Sequence, residues 1–549
     1  MSEQTGQIFT PRRFRTDPWS VGAIVIAVLV LLPIVAVLWF AATPTDNIWP
    51  HLMRTTLPRY LGNTAILMFG VGLLTAAIGT GAAWLVTMYR FPGVGWIQWA
   101  LLLPLAVPAY VGAFALVDFL EYAGPVQTAL RTAFGWGNAQ DYWFPAIRTR
   151  TAAIIVLAAS LYPYVYILAR AAFREQSGAG FEVARALGVG PLGRLLRVGL
   201  PLARPAIAAG VAVVMMETVN DFGTVDYFAV QTLTTGIFTV WLQGGNLGGA
   251  AQLATVVLGL VVILVTLEKI SRRKSRVYGS ARGMRPVTAT PLPGLAGWAA
   301  TLACLLPFTA GFLLPVGVLL SHAFDASDWA APGLVRALWH TVAVGGIAAF
   351  LTVLGGVFMV YGVRLSGYRL PRLLMPVTAI GYAAPGAVLG LGILVPLAAL
   401  DNRVADAIWG ATGWDPGLIL TGSAAALVVA YVVRFFAIAQ GAADAALGRV
   451  SPSLPMAARS LGQTAGGALR RVYVPLIRAS IGSTLLLVFV DCVKELPATL
   501  LLRPFNYDTL ATRVHEKASL ENITEASTAA LMIVAVGLIA VGLLARANR

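Results

Sequence analysis

Long apolar runs alternate with short polar stretches along the whole chain. A helix that crosses a hydrocarbon core of about 30 Å needs about 20 predominantly apolar residues. Runs of this kind lie at about residues 19–41, 61–86, 97–118, 151–170, 203–221, 250–268, 296–321, 341–363, 373–400, 417–440, 476–496 and 526–545. Spanning β-barrels show short alternating segments instead. The pattern therefore predicts an all-α integral membrane protein with twelve transmembrane helices.

Composition and charge agree with this class. The chain is 58% hydrophobic and 11% charged, whereas about a quarter of the residues of an ordinary soluble domain are charged. The formal net charge of +15 does not indicate a nucleic-acid partner, because the basic residues gather in alternate loops, as the positive-inside rule requires. The arginine-rich loops belong in the cytoplasm, and the loops at 222–249 and 401–416 belong outside. Both termini are then cytoplasmic.

Two arginine-rich strips repeat each other. RALGVGPLGRLLRVGLP at residues 185–201 and RSLGQTAGGALRRVYVP at residues 459–475 share their arginine start, a Leu-Gly pair and a terminal proline. An offset of 274 residues places Gly188 on Gly462 and Glu217 on Asp491. VPAYVGAFAL, which begins at residue 107, similarly resembles APGAVLGLGI, which begins at residue 384. The chain therefore contains an internal repeat.

The repeat divides the chain into two halves of six helices each. Residues 269–295 are basic and rich in Pro and Gly without an apolar period, which is typical of a cytoplasmic linker. The first half is then 1–268 and the second 296–549. Since both halves begin inside and contain an even number of spans, they are parallel repeats related by an axis along the membrane normal. A pore between them follows.

Each strip lies between the fourth and fifth spans of its half. The first is predicted as a short helix with Glu182 and Ala184, a turn at Gly188, and a second amphipathic helix with Leu200 that ends at Pro201. A helix-turn-helix parallel to the membrane is suited to docking a soluble partner. Its arginines could alternatively hold anionic membrane lipid.

The order Glu-x-Ala-x-x-x-Gly, about a dozen residues and then Leu-Pro resembles the "EAA" coupling loop of ABC-importer permeases. The matching residues are Glu182, Ala184, Gly188, Leu200 and Pro201 in a loop near 175–203, and Ala458, Gly462 and Pro475 in a loop near 449–477, where Met456 replaces the acid. This resemblance implies the type I importer permease fold, a bacterial inner (plasma) membrane location and two copies of an ABC ATPase subunit that uses ATP and Mg. The chain itself contains no Gly-Lys dipeptide and hence no Walker A phosphate loop. It is not predicted to be an enzyme or to bind a cofactor.

The segment DCVKELPATLLLRPFNYDTLATRVHEKAS at 491–519 resembles the ferric-iron ABC permeases of the fused two-half type, as does ETVNDFGTVDYF from residue 217. This resemblance implies that the chain translocates ferric iron delivered by a periplasmic binding protein. Permeases for thiamine, sulfate or polyamine share the fold and remain alternatives. An ion-coupled secondary transporter is the alternative from another class, which the parallel repeats and the doubled coupling loop disfavour.

Two pairs of acids stand near the outer ends of the fifth span of each half. Glu217 and Asp221, and likewise Asp491 and Glu495, are spaced i, i+4 and are predicted to share a helix face. Carboxylate oxygens suit a hard cation such as ferric iron, so transient metal contact at these four acids is one interpretation. Because Asn220 and Lys494 stand beside them, an internal network that closes a gate or binds the partner is another, and interfacial solvation a third. The four histidines form no cluster with carboxylates, so no standing metal site is predicted.

Overall fold

The computed structural model describes residues 18–273, 288–324, 329–365, 369–378, 384–451 and 453–547. The basic amino-terminal residues and most of the predicted linker therefore lie outside the described residues. Within them, eleven helices are long and apolar enough to cross a membrane. A further pair of helices, bent by 94° at a short break, makes twelve if the pair counts as one span. The predicted all-α membrane class is confirmed.

The elements of the first part of the chain are α1 (Pro18–Ala42), α2 (Trp49–Thr55), α3 (Leu57–Met88), β1 (Tyr89–Arg90), α4 (Val94–Ala100), a 3-10 turn (Leu103–Ala106), α5 (Ala109–Leu120), α6 (Pro125–Phe134), α7 (Arg150–Glu175), α8 (Gly178–Ala186), α9 (Pro191–Asn220), α10 (Gly223–Tyr227), α11 (Leu233–Phe238, extended by a π turn at Thr239–Gln243) and α12 (Leu247–Arg273). The second part follows with β2 (Thr290–Pro291), α13 (Gly294–Ser321), α14 (Leu334–Leu365), α15 (Arg369–Thr378), α16 (Gly386–Thr412), α17 (Ala425–Gly448), α18 (Ser453–Ser460), α19 (Ala465–Val493), α20 (Pro497–Leu502), α21 (Leu510–Ser519) and α22 (Ile523–Ala547).

The third span of each predicted half is interrupted rather than continuous. In the first part, α5 begins only after Pro108, whose backbone is extended (φ −58°, ψ 144°). In the second part, α16 begins after Pro385 in nearly the same conformation (φ −55°, ψ 151°). Proline has no N–H to donate and disfavours a helical residue before it, so each proline stands immediately before the start of a new helix. The predicted unbroken spans at 97–118 and 373–400 are wrong on this point.

In the described part of the chain, three prolines inside long helices each follow closely after a π turn. The N–H of Leu200 donates to the carbonyl of Leu195, five residues back, just before Pro201. The same wide turn ends before Pro475 and before Pro315. Proline offers no N–H to the preceding turn, and a widened turn leaves space for its ring. The expectation that the helix ends at Pro201 is therefore wrong, because α9 runs through this residue without a break.

One buried carboxylate reshapes the segment predicted as an outer loop at 401–416. Asp401 lies inside α16 and accepts backbone N–H bonds from Ile419, Leu420 and Thr421 at 2.8–3.1 Å. A carboxylate that accepts several N–H groups fixes the chain around it. As a result α16 extends to Thr412, and α17 begins at Ala425 rather than near 417.

The first long helix of each predicted half packs on the other half. Trp19 of α1 stacks on Phe358 of α14, with ring centroids 4.9 Å apart. Gly311 in α13 lies so close to the carbonyl of Ala159 in α7 that a side chain there would overlap it. Strand β2, just before α13, pairs in parallel with β1. The two parts of the chain are therefore interlocked rather than side by side.

Corresponding positions of the two parts make the same hydrogen bond. The N–H of Leu233 at the start of α11 donates to Thr64 Oγ1 at 3.1 Å. The N–H of Leu510 at the start of α21 donates to Thr341 Oγ1 at 2.8 Å. Both helices also begin with a threonine capping box, in which side chains satisfy N–H groups that the first turn leaves unpaired. The donor Leu510 and the acceptor Thr341 each stand 277 residues after their counterparts, Leu233 and Thr64.

Candidate functional site

A cavity lies where the ends of α9 and α19 meet the break before α5. Its volume of about 130 Å³ is enough for several water molecules, since one water needs roughly 10–15 Å³ measured in this way. The helix α9 has 30 residues and spans about 45 Å at 1.5 Å per residue. The cavity therefore lies at the end of α9 that is far from the arginine-rich turn, at the level of the middle of α7 and α17, which contribute Ser160, Tyr164 and Arg434 to its lining.

All six residues predicted for a substrate path or gate line this one cavity. They are Glu217, Asn220, Asp221, Asp491, Lys494 and Glu495. The first three come from the end of α9, and the others from the end of α19. The structure thus brings together residues that are about 274 positions apart in the sequence.

The acids do not share helix faces as their spacing predicted. Helix α9 ends at Asn220, so Asp221 already has an extended backbone (φ −66°, ψ 135°). Its carboxylate accepts the N–H of Val225 at 3.0 Å and the hydroxyl of Thr224 at 2.9 Å, at the start of α10. The N–H groups of a new helix need acceptors, and a carboxylate there also suits the helix dipole. The predicted i, i+4 pair is therefore split by the end of a helix.

Glu495 plays the corresponding part before α20 and is held more tightly. Its carboxylate accepts the N–H groups of Ala498 and Thr499 at 3.1 and 3.0 Å, and the Thr499 hydroxyl at 2.8 Å. Arg434 Nη1 of α17 lies 3.1 Å from Glu495 Oε1, and the Glu495 side chain is only 1% exposed. Gly386 permits this pair, because an added Cβ there would overlap both side chains. Glu495 therefore anchors α16, α17 and α20 together.

Asp491 and Lys494 form the second ion pair of the cavity. Lys494 Nζ lies 2.8 Å from Asp491 Oδ1, and both side chains are mostly buried. Glu217 of the first part of the chain lines the same cavity. The lysine thus shares the cavity with carboxylates from both parts.

The two sides of the cavity differ in charge. Positions 160 and 220 correspond to positions 434 and 494 by the 274-residue offset, but they hold Ser160 and Asn220 instead of an arginine and a lysine. The lining has four carboxylates and two cationic side chains, a formal net charge of −2. The two excess negative charges come from the first part of the chain, which contributes Glu217 and Asp221 but no cationic side chain.

Sequence reasoning missed Arg434, Tyr110 and Tyr164, which also line the cavity. Arg434 carries a signal that could have revealed it, because a charge inside an apolar span is costly unless it faces protein or water. Neither tyrosine has such a signal. Tyr164 stands in a run of tyrosines whose neighbours Tyr162 and Tyr166 are fully buried.

The two predicted coupling loops have the same backbone. Gly188 and Gly462 both have positive φ, at +76° and +83°. In the first loop the N–H of Val189 donates to the carbonyl of Ala184 at 3.0 Å, and in the second Gln463 donates to Ala458 at 3.0 Å. This hydrogen bond, from an N–H to the carbonyl five residues earlier, is that of the Schellman motif at the end of a helix. The glycine in this motif has a left-handed backbone, in which a residue other than glycine is strained.

Both turns are open to solvent and carry apolar side chains. Leu187, just before Gly188, is 77% exposed, and Leu461, just before Gly462, is 82% exposed. Glu182 and Met456, at the position of the predicted acid, are both exposed as well. Exposed apolar groups rimmed by polar residues are typical of protein-binding surfaces.

At the opposite end of the bundle, two histidines meet carboxylates from the other part of the chain. His322 Nε2 lies 2.7 Å from Asp118 Oδ2, and His515 Nε2 lies 3.8 Å from Asp226 Oδ2. Burial lowers the pKa of the His515 imidazole, and the Asp226 carboxylate acts in the opposite direction. Within the described ranges, no group of three or more His, Cys, Asp or Glu side chains is arranged to hold a metal ion.

Known proteins resemble the chain over most of its length. A family model described as "Binding-protein-dependent transport system inner membrane component" matches residues 75–277. The Fe(3+)-transport system permease protein FbpB 2 of Haemophilus influenzae is 26% identical over 503 residues, which are 88% of each chain. The ferric transport system permease protein FbpB of Actinobacillus pleuropneumoniae is 23% identical over 475 residues, 81% of this chain and 64% of the relative. The sulfate transport system permease protein CysT of Salmonella typhimurium is 25% identical over 264 residues, 46% of this chain and 91% of the relative.

These matches fall on the features already described. Residues 75–277 include the first arginine-rich turn and the first-part wall of the cavity. The ferric permeases extend over most of both parts of the chain. Residues 75–277 therefore match the family of binding-protein-dependent transport system inner membrane components, and the chain as a whole resembles ferric transport system permeases.

Proposed function

We propose that this chain is the membrane permease of an ABC importer and that it carries ferric iron from a periplasmic binding protein into the cytoplasm. The observation that carries the proposal is the similarity to a ferric permease over 88% of both chains. The sulfate permease aligns with less than half of this chain. Similarity along the whole length supports the ferric cargo more strongly than similarity along half of it.

The chemistry of the cavity supports a cationic cargo. Its lining has a formal net charge of −2, from four carboxylates and two cationic side chains. A dianion such as sulfate would be repelled there, because like charges at a distance of a few ångströms in a partly buried site interact strongly. Carboxylate, hydroxyl and amide oxygens are the ligands that hard cations prefer. The cavity thus favours ferric iron over the sulfate alternative.

The matched loops support coupling to two ATPase subunits. Both turns end in a glycine of positive φ, and both expose a leucine immediately before it. Two equal surfaces at one end of the bundle suit two copies of one partner. ATP and Mg would be used by those subunits, so the loops would lie in the cytoplasm.

The internal repeat is part of the proposal. The bonds from Leu233 to Thr64 and from Leu510 to Thr341 support two equivalent six-helix halves, 1–268 and 296–549, joined by the linker 269–295. The proline breaks before α5 and α16 support the same equivalence. Parallel halves with even numbers of spans would put both termini on one side of the membrane, and the proposal assigns them to the cytoplasmic side of a bacterial inner membrane.

An uptake experiment in cells tests the function. A bacterial strain without its own ferric permease would express this chain together with a candidate ATPase and periplasmic binding protein, and uptake of radioactive iron would be measured. The proposal predicts iron uptake that disappears when any one of the three proteins is omitted. Uptake of sulfate or thiamine without uptake of iron would reject the cargo and leave the permease class intact.

A further inference from the structure

Lys494 occupies a special position between the two sides of the cavity. It lies 2.8 Å from Asp491 and lines the same cavity as Glu217. Those two acids are 274 residues apart and correspond to each other in the repeat. The ammonium group therefore pairs with the acid of the second part in a cavity that also contains the corresponding acid of the first part. Its own counterpart is the neutral Asn220.

The other two acids of the cavity are already engaged by their local structure. Asp221 accepts bonds from residues at the start of α10, and Glu495 accepts bonds at the start of α20 and pairs with Arg434. Both hold short helices in place. The Asp491–Lys494 ion pair, in the same cavity as Glu217, holds no helix start of this kind and is suited to respond to an occupant of the cavity.

Two buried polar atoms in the same wall provide an independent indication of an occupant. Asn220 is 6% exposed and Tyr110 is 9% exposed, and both line the cavity. Neither Asn220 Oδ1 nor the Tyr110 hydroxyl has a hydrogen-bond partner among the residues that the structure describes. A buried polar atom without a partner destabilises the folded chain, because it has lost its hydrogen bonds to water. Both atoms are oxygens, and a hard cation in the cavity would give them a partner.

We propose that Lys494 is a resident counter-ion of the transport path, and that its ammonium group takes the place of a trivalent cation between Glu217 and Asp491. This inference rests on the proposed ferric function. A monovalent cation has no advantage over the lysine already present, whereas a trivalent cation interacts with both carboxylates more strongly and displaces it. In the empty permease the lysine prevents repulsion between the two acids. A cargo ion must therefore carry more than the single positive charge of Lys494 in order to displace it.

A terbium titration of the purified full-length chain tests this role. Tb³⁺ is a hard trivalent cation whose luminescence is sensitised by nearby tyrosines, and Tyr110 and Tyr164 both line the cavity. Lys494→Gln should bind Tb³⁺ about tenfold more tightly than the wild type or better, because removing a cation a few ångströms from the site removes its repulsion of the incoming ion. Lys494→Arg keeps the charge and should bind no more tightly than the wild type.

The double variant Lys494→Gln/Asp491→Asn tests whether the tighter Tb³⁺ binding occurs at this site. If it does, the double variant should lose most of the increase in affinity that Lys494→Gln shows. An equal affinity in the wild type and Lys494→Gln would overturn the counter-ion role, as would a gain that persists in the double variant. The titration needs neither the ATPase nor the binding protein, so it is separate from the uptake test. A chain that imports iron without this gain rejects the counter-ion alone, and a chain that shows the gain without importing iron rejects the cargo alone.

Discussion

Replacing Arg434 by methionine tests how the cavity wall is held together. Arg434 lies 3.1 Å from Glu495, whose side chain is 1% exposed. Methionine retains an apolar stem of similar length but leaves the carboxylate without its cation. Removing one member of a buried ion pair costs about 3–5 kcal/mol, because the remaining charge is neither solvated nor paired. Arg434→Met should therefore destabilise the folded chain strongly.

The size of the effect on thermal unfolding follows from the length of the chain. The entropy of unfolding is about 2.1 cal/mol/K per residue, or about 1.2 kcal/mol/K for 549 residues. A loss of about 3–5 kcal/mol then lowers the midpoint by about 3–4 °C. A thiol-reactive fluorophore in detergent measures this midpoint, since Cys304 and Cys492 are both free and buried and react only as the chain unfolds.

Two variants separate the ion pair from general damage. Ser160→Ala changes the residue that corresponds to Arg434 and should leave the midpoint unchanged within about 1 °C. The double variant Arg434→Met/Glu495→Gln should recover part of the loss, because no unpaired charge remains and the amide oxygen still accepts one of the N–H groups of Ala498 and Thr499. An Arg434→Met midpoint equal to that of Ser160→Ala would refute the reasoning, and so would a double variant less stable than the single one.

Two further predictions concern the ends of the bundle. Leu187→Asp and Leu461→Asp place a charge on exposed apolar surfaces and should each abolish co-purification of the ATPase subunit without shifting the unfolding midpoint; normal co-purification of both would exclude the turns as its docking surface. Because burial lowers the pKa of His515, the folded chain binds fewer protons there than the unfolded chain, so stability is full above about pH 6.5 and falls as the pH drops below it. His515→Gln should remove part of this loss in tryptophan-fluorescence melts from pH 7.5 to 5.5, whereas His51→Gln, at an exposed residue, should not; equal pH profiles for both variants would reject the assignment to the burial of His515.

Local signals predicted the features that depend on short-range chemistry. Apolar length located the membrane helices, because the hydrocarbon core imposes it. The glycines at 188 and 462 were predicted as turns, and both have the positive φ that glycine tolerates. The repeat offset placed Glu217 and Asp491 at equivalent sites, and both line one cavity.

Features that depend on the surrounding fold could not be predicted in this way. Asp221 has an i, i+4 spacing from Glu217, but its carboxylate bonds to the start of α10, so the helix ends before it. Pro201 would normally stop a helix, but a π turn allows α9 to continue. Arg434 pairs with Glu495, which stands 61 positions later in the sequence. In each case a partner distant in sequence or an unusual turn outweighs the local preference.

Iron uptake by reconstituted vesicles tests the central claim most directly. The purified chain would be placed in lipid vesicles with its ATPase subunit inside, and radioactive ferric iron bound to the periplasmic binding protein would be added outside. The account predicts accumulation of iron in the lumen that requires both ATP and the binding protein, and that stops with Leu187→Asp. Iron accumulation that continues without ATP, or ATP-driven accumulation of sulfate or thiamine with none of iron, would contradict it.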